Sequence, residues 1–137
     1  MARSKSGLFL MELIIAICFF AIASAICVQL FARAHTLSQR SKGIQMAVMN
    51  AQSVAEGFRG LEGDIDALAS FWRASASDGS FVVWFDDEWA TVARGGRFEM
   101  VVTSDVSAVP ATISMSITDT VHGAELYSMR LSRYLGR

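Results

Sequence analysis

Proline is nearly absent: among 137 residues there is one, Pro110. Nothing before it interrupts a helix through a missing N–H. Cysteine is scarce, and both copies, Cys18 and Cys27, fall in one apolar stretch. Nine residues apart, they lie roughly opposite each other on a helix and about 13 Å apart along it, so they cannot pair within the chain. The rest of the chain has none, which excludes a disulfide framework there. Histidine occurs twice, as His35 and His122, with no cysteine or carboxylate at ligand spacing, so no metal site is expected. Excess charge is also missing: 12 Lys and Arg face 13 Asp and Glu, a net charge of −1. That balance excludes a strongly basic nucleic-acid binder and an acidic tail protein. There is no phosphate-binding loop, no Gly-x-Ser-x-Gly and no Cys-x-x-Cys. No catalytic set is visible, no cofactor is implied, and the chain is not expected to be an enzyme. Asp86, Asp87 and Glu88 have the groups for cation binding or acid–base work, but read as a solvated turn.

What the chain has in excess is apolar residues, 53% of the total, with a mean hydropathy of +0.38. They are concentrated. The 25 residues from Leu8 to Ala32 hold one charge, Glu12. As a helix this run reaches roughly 37 Å, enough to cross a hydrocarbon core of about 30 Å. The roughly 100 residues that remain have ordinary globular composition, so the organisation is one hydrophobic segment plus one small domain. Arg3 and Lys5 precede the run, and Arg33, Arg40 and Lys42 follow it; charge alone leaves its orientation open.

Three readings fit the run. It could be a plain single-pass anchor, or a secretory signal peptide cut after Ala25 in Ala23-Ser24-Ala25. A carboxylate would cost about 2.5–3.5 kcal/mol at a bilayer centre and less toward the edge. Glu12, five residues in, could snorkel to the headgroups, but neither reading explains why the charge sits just after Gly7-Leu8. The third reading starts from the surrounding residues, Ser4-Lys5-Ser6-Gly7-Leu8-Phe9-Leu10-Met11-Glu12-Leu13-Ile14-Ile15-Ala16-Ile17. This stretch resembles the class III signal of type IV pilins and pseudopilins: a short basic leader ending in glycine, a glutamate five residues on, and a long apolar helix. The resemblance covers about the first 55 residues closely and the remainder by architecture.

The resemblance implies a leader, residues 1–7 with charges Arg3 and Lys5, left on the cytoplasmic side, and cleavage by a prepilin peptidase between Gly7 and Leu8. The new amino group on Leu8 would be N-methylated, and residues 8–34 would form the transmembrane and assembly helix. Glu12 would meet the Leu8 amine of a neighbouring subunit and set the register of stacking. Leu8 stands where Phe is commonest in the family. The helix also lacks the proline that many major subunits carry, which favours a minor pilin or pseudopilin. Implied partners are the peptidase, other pilin subunits, a pilus or secretion platform protein and the membrane. No nucleic-acid partner is expected, since residues 35–137 hold 9 basic and 12 acidic groups. The precursor would be a single-pass inner or cytoplasmic membrane protein with its head outside. The alternative is a secreted or membrane-anchored binding domain with an ordinary signal peptide or anchor.

Beyond the apolar run, Leu37, Ile44, Val48, Ala51, Ala55 and Phe58 follow three-four spacing. The helix is therefore expected to continue as an amphipathic segment over 35–58, with Gly43 as a possible break. Gly57, Gly60 and Gly63 are expected to end it. Asp64 reads as the cap of a short helix with Ile65, Leu68 and Phe71 or Trp72 facing inward. Residues 59–137 read as a β-meander head. Ser75 to Ser80 is a loop, Phe81 to Phe85 a strand, and Trp89 to Ala93 its return. Arg94-Gly95-Gly96-Arg97 reads as a hairpin turn into Phe98 to Thr103. Ile113, Met115 and Ile117 alternate with hydroxyl residues, and after a turn at His122-Gly123 Tyr127, Met129 and Leu131 alternate with Ser128, Arg130 and Ser132. The fold class is then α+β, a long helix against a small antiparallel sheet, the arrangement of pilins. Phe81, Trp84, Phe85 and Trp89 are expected to be core with one exposed ring, with a partner patch as the other possibility. Arg130, Arg133 and Arg137 make the last strand modestly basic.

Overall fold

The computed structural model describes residues 2–134, with side chains from residue 4 onward. The layout is α+β: one long N-terminal helix, a short second helix and a five-stranded antiparallel sheet. The chain divides into two compact units, Met1–Ser41 and Lys42–Arg137. Helix α1, Ala2–Gly60, supplies residues to both.

In the first unit every described side chain is exposed. Leu, Ile, Ala, Phe and Met favour or tolerate the helix on every face, and no glycine or proline occurs between Gly7 and Gly43. Two hydroxyls of this stretch bond to the helix backbone. Ser24 Oγ donates to the Phe20 carbonyl at 2.9 Å and Thr36 Oγ1 to the Ala32 carbonyl at 3.0 Å, so neither hydroxyl is left bare in an apolar setting.

In the second unit the last turns of α1 carry a buried stripe of Gly43, Ala47, Ala51, Val54 and Phe58. This corrects the expected stripe. Leu37 is 69% exposed and Ile44 38% exposed, and Val48 and Ala55 are half-buried. The reason is volume. The sheet face supplies Phe81, Val83, Phe85, Met100, Ile113, Met115 and Ile117, and close packing against such bulk needs small residues on the helix. Gly43 does not break the helix; a Cβ there would lie 3.7 Å from Leu126 Cδ1. Gly57 does not end it either. It lies inside the last turn, where a Cβ would come within 2.5 Å of the buried Leu68. The stop comes after Gly60, with Gly63 at a φ of 86° and its N–H donating to the Phe58 carbonyl at 3.0 Å.

Helix α2, Ile65–Phe71, begins at Asp64, whose Oδ1 accepts from the N–H groups of Asp66 and Ala67 at 3.0 and 3.1 Å. Leu68 and Ala69 are buried, and Trp72 packs against the core. Phe71 points outward, 73% exposed.

The strands are β1 (Ser80–Phe85), β2 (Thr91–Val92), β3 (Phe98–Asp105), β4 (Ala111–Asp119) and β5 (Ala124–Arg133). Their spatial order is β2-β1-β3-β4-β5. The glycine pair therefore does not form a hairpin between β2 and β3. Both of those strands pair with β1, on opposite edges, and Arg94 to Arg97 carries the chain past the end of β1. Gly96 passes so close to Phe85 that a Cβ would overlap its backbone.

β4 alternates buried and half-buried along its whole length, and β1 and β3 nearly so, the signature of a sheet with one covered face. In β5, Tyr127, Met129 and Leu131 are half-buried at the margin of the core. Opposite Ile117 and Thr118 the register slips, leaving Leu126 as an extra residue, a β-bulge.

Of the four clustered aromatics, Phe81 and Phe85 are buried, while both tryptophans are half-buried and neither is fully exposed. Trp89 has a φ of 66°, a costly conformation for a bulky residue. It is offset by a stack on Phe98 at 4.2 Å and 11° and by the Asp86 turn. Asp86 Oδ1 accepts from the N–H groups of Glu88 and Ala90 at 3.0 and 2.8 Å.

Candidate functional site

The residues singled out at the N-terminus lie on consecutive turns of α1. Gly7 is a helix-interior glycine, which costs about 0.5–1 kcal/mol relative to alanine. Nothing lies within 4 Å of where its Cβ would be, so packing does not require a glycine here. Gly43 and Gly57, by contrast, each face a neighbouring side chain.

Leu8 and Glu12 are one turn apart on the same face, a rise of about 6 Å. Glu12 is exposed, and among the described residues no cation lies within salt-bridge distance of it. It heads a shallow hollow lined by Ile15, Ala16, Phe19, Phe20 and Ala23, in which the alanines are low ground between phenylalanines. Lys5 is exposed on the preceding turn. The side chains of Arg3 and Arg137 lie outside the described residues.

By length and composition α1 is able to cross a membrane: its most apolar 18-residue window has a mean hydropathy of 2.7 and no buried share. In such a medium a lone carboxylate is an unsatisfied charge. Its energy falls sharply when a cation meets it, because the attraction grows as the effective dielectric constant drops.

The head holds a second polar cluster that its sequence did not reveal. Asp119, at the end of β4, is nearly buried and accepts from the Val121 N–H at 3.0 Å. Its Oδ2 lies 2.9 Å from His122 Nδ1 and 3.6 Å from Arg97 Nη2. Arg97 Nη1 reaches Asp87 Oδ1 at 2.8 Å, and the Thr120 hydroxyl donates to the Arg97 carbonyl at 2.8 Å. His122 thus has a carboxylate partner three residues away, contrary to the sequence expectation; the i, i+3 spacing of Asp119 and His122 was the available signal. Burial opposes charge on Asp119, but the His122 bond, the Val121 and His122 N–H groups and the Arg97 charge together hold its carboxyl below the ordinary range. The bond to Asp87 raises the Arg97 guanidinium further. These contacts tie the β4–β5 turn to the start of β3 and to the β1–β2 turn. Among the described residues no three His, Cys, Asp or Glu side chains are grouped to hold a metal ion.

Comparison of the chain with protein-family models, with curated proteins and with solved structures found no match.

Proposed function

We propose that this chain is a type IV pilin-like subunit, a minor pilin or pseudopilin, which a prepilin peptidase cuts after Gly7 and which then assembles into a pilus or secretion pseudopilus. The observation that carries the reading is Glu12: one bare carboxylate in an exposed apolar helix, a turn after a glycine that packing does not require. Cleavage would leave a cation on Leu8. Within a membrane or a fibre core, that amine on an incoming subunit neutralises Glu12 of its neighbour. Hydrophobic packing of residues 8 to about 34 supplies affinity, and the charge pair supplies register. The head is held outside the cytoplasm, and the chain's role is structural, with the peptidase, a platform protein and other pilins as partners.

The test is the N-terminal residue of the protein from cells, read by mass spectrometry. A chain starting at Leu8, methylated or not, is the expected result. A start at Ile26 would make this an ordinary secreted domain and sink the proposal, as would an intact N-terminus in a strain that has the peptidase. In such a strain Glu12→Ala should remain cleaved and membrane-inserted but drop out of sheared fibres.

A further inference from the structure

The two edges of the sheet are unequal. β2 exposes two residues, too short to template a partner. β5 is the longest strand, ten residues, and among the described residues it pairs only with β4. Natural edge strands are blunted by shortness, proline, charged side chains or bulges. β5 has its bulge at Leu126, near its start, and carries Arg130 and Arg133, charges that disfavour a like-charged strand but not an acidic one. From Tyr127 to Arg133 the register is regular and contains no proline. One row of N–H and C=O groups along this stretch is unpaired by any described strand.

The side chains along that edge specify what would complete it. On the core side Tyr127, Met129 and Leu131 are only half-buried, so the margin of the core stays open there. On the opposite face Ser128, Arg130 and Ser132 are exposed. Arg130 sits opposite Ser114 and rims a trough floored by Ser114 and Ser116 and bounded by Val101 and Thr103. Among the described residues Arg130 has no acidic partner.

We infer that the β5 edge receives an extended segment of a partner protein in which apolar and acidic residues alternate. Its main chain continues the ladder. Its apolar side chains close the core margin beside Tyr127, Met129 and Leu131. Its carboxylates fall beside Arg130, about 5 Å away between Cβ atoms of directly opposed residues. A second copy of β5 fits less well, because antiparallel pairing of two such edges centred near Arg130 sets the two Arg130 side chains against each other and supplies no carboxylate. The inference is independent of the pilin reading.

The test uses the full chain in detergent micelles and two fluorescein-labelled peptides, acetyl-Thr-Val-Glu-Val-Glu-Val-Thr-amide and its counterpart with lysine for glutamate. By fluorescence anisotropy the acidic peptide should bind the more tightly. Arg130→Ala should weaken it by about fivefold, the scale of one exposed charge contact, and Arg130→Glu should reverse the preference. Hydrogen exchange on the unaltered chain gives a second readout that needs no variant: the acidic peptide should slow the amides of Tyr127 to Arg133 and leave those of β2 unchanged. Equal binding of both peptides, or protection away from β5, would overturn the inference. So would protection of β5 that rises with protein concentration in the absence of peptide, since the edge would then belong to a second copy.

Discussion

Gly96→Ala tests the strand order directly. If Arg94 to Arg97 were a hairpin turn, both glycines would serve by adopting positive φ, and alanine at either would cost a similar amount. In the structure only Gly95 is left-handed, with a φ of 73° and nothing within 4 Å of its Cβ position. Alanine there should cost about 1 kcal/mol, the ordinary penalty for that conformation. At Gly96 the new methyl would lie 2.8 Å from the Phe85 carbonyl carbon and 2.9 Å from its nitrogen, and closer still to its oxygen. Phe85 cannot recede, because it is paired with Thr91 on one side and Phe98 on the other. Overpacking against fixed backbone should cost about 2–3 kcal/mol and lower the Tm by roughly 8–20 °C for a unit of this size. Urea and thermal unfolding followed by fluorescence of Trp72, Trp84 and Trp89 would measure both variants. If Gly96→Ala is no more damaging than Gly95→Ala, the crossing past Phe85 is wrong and a hairpin is right.

Three further outcomes are expected. Phe58→Ala, which removes a fully buried ring from the helix side of the core, should lose about 3–5 kcal/mol in urea denaturation. Asp64→Ala removes the acceptor for two N–H groups at the start of α2 and should cost about 1 kcal/mol, with faster hydrogen exchange confined to that helix. Asp119 is held below its ordinary value of 3.8. Its contribution is therefore complete above that pH and lost as pH falls through the lowered folded value. Asp119→Asn should flatten that acid limb in a series of urea midpoints.

Much of the architecture was legible because it depends on local chemistry. The absence of proline and the apolar run from Leu8 to Ala32 determine an unbroken helix. Asp64 as a cap and the alternation of Ile113, Met115 and Ile117 follow from hydrogen-bond geometry and from the period of two along a strand. Leu8 and Glu12 are a turn apart in any helix, so the geometry of the candidate site was also readable. Which face of the helix is buried was not. Hydrophobicity alone favours Leu37 and Ile44, whereas the sheet's large side chains select Gly43, Ala47 and Ala51, and that bulk is supplied by residues far along the chain. The same holds for Gly96, whose purpose is Phe85's backbone, and for Arg97, which joins Asp87 and Asp119 only because β3 lies between β1 and β4. The sequence by itself determined the elements and the carboxylate in the apolar helix. Only the tertiary structure decided strand order, the open edge at β5 and the helix's buried face, because these depend on which distant surfaces meet and how much volume each brings.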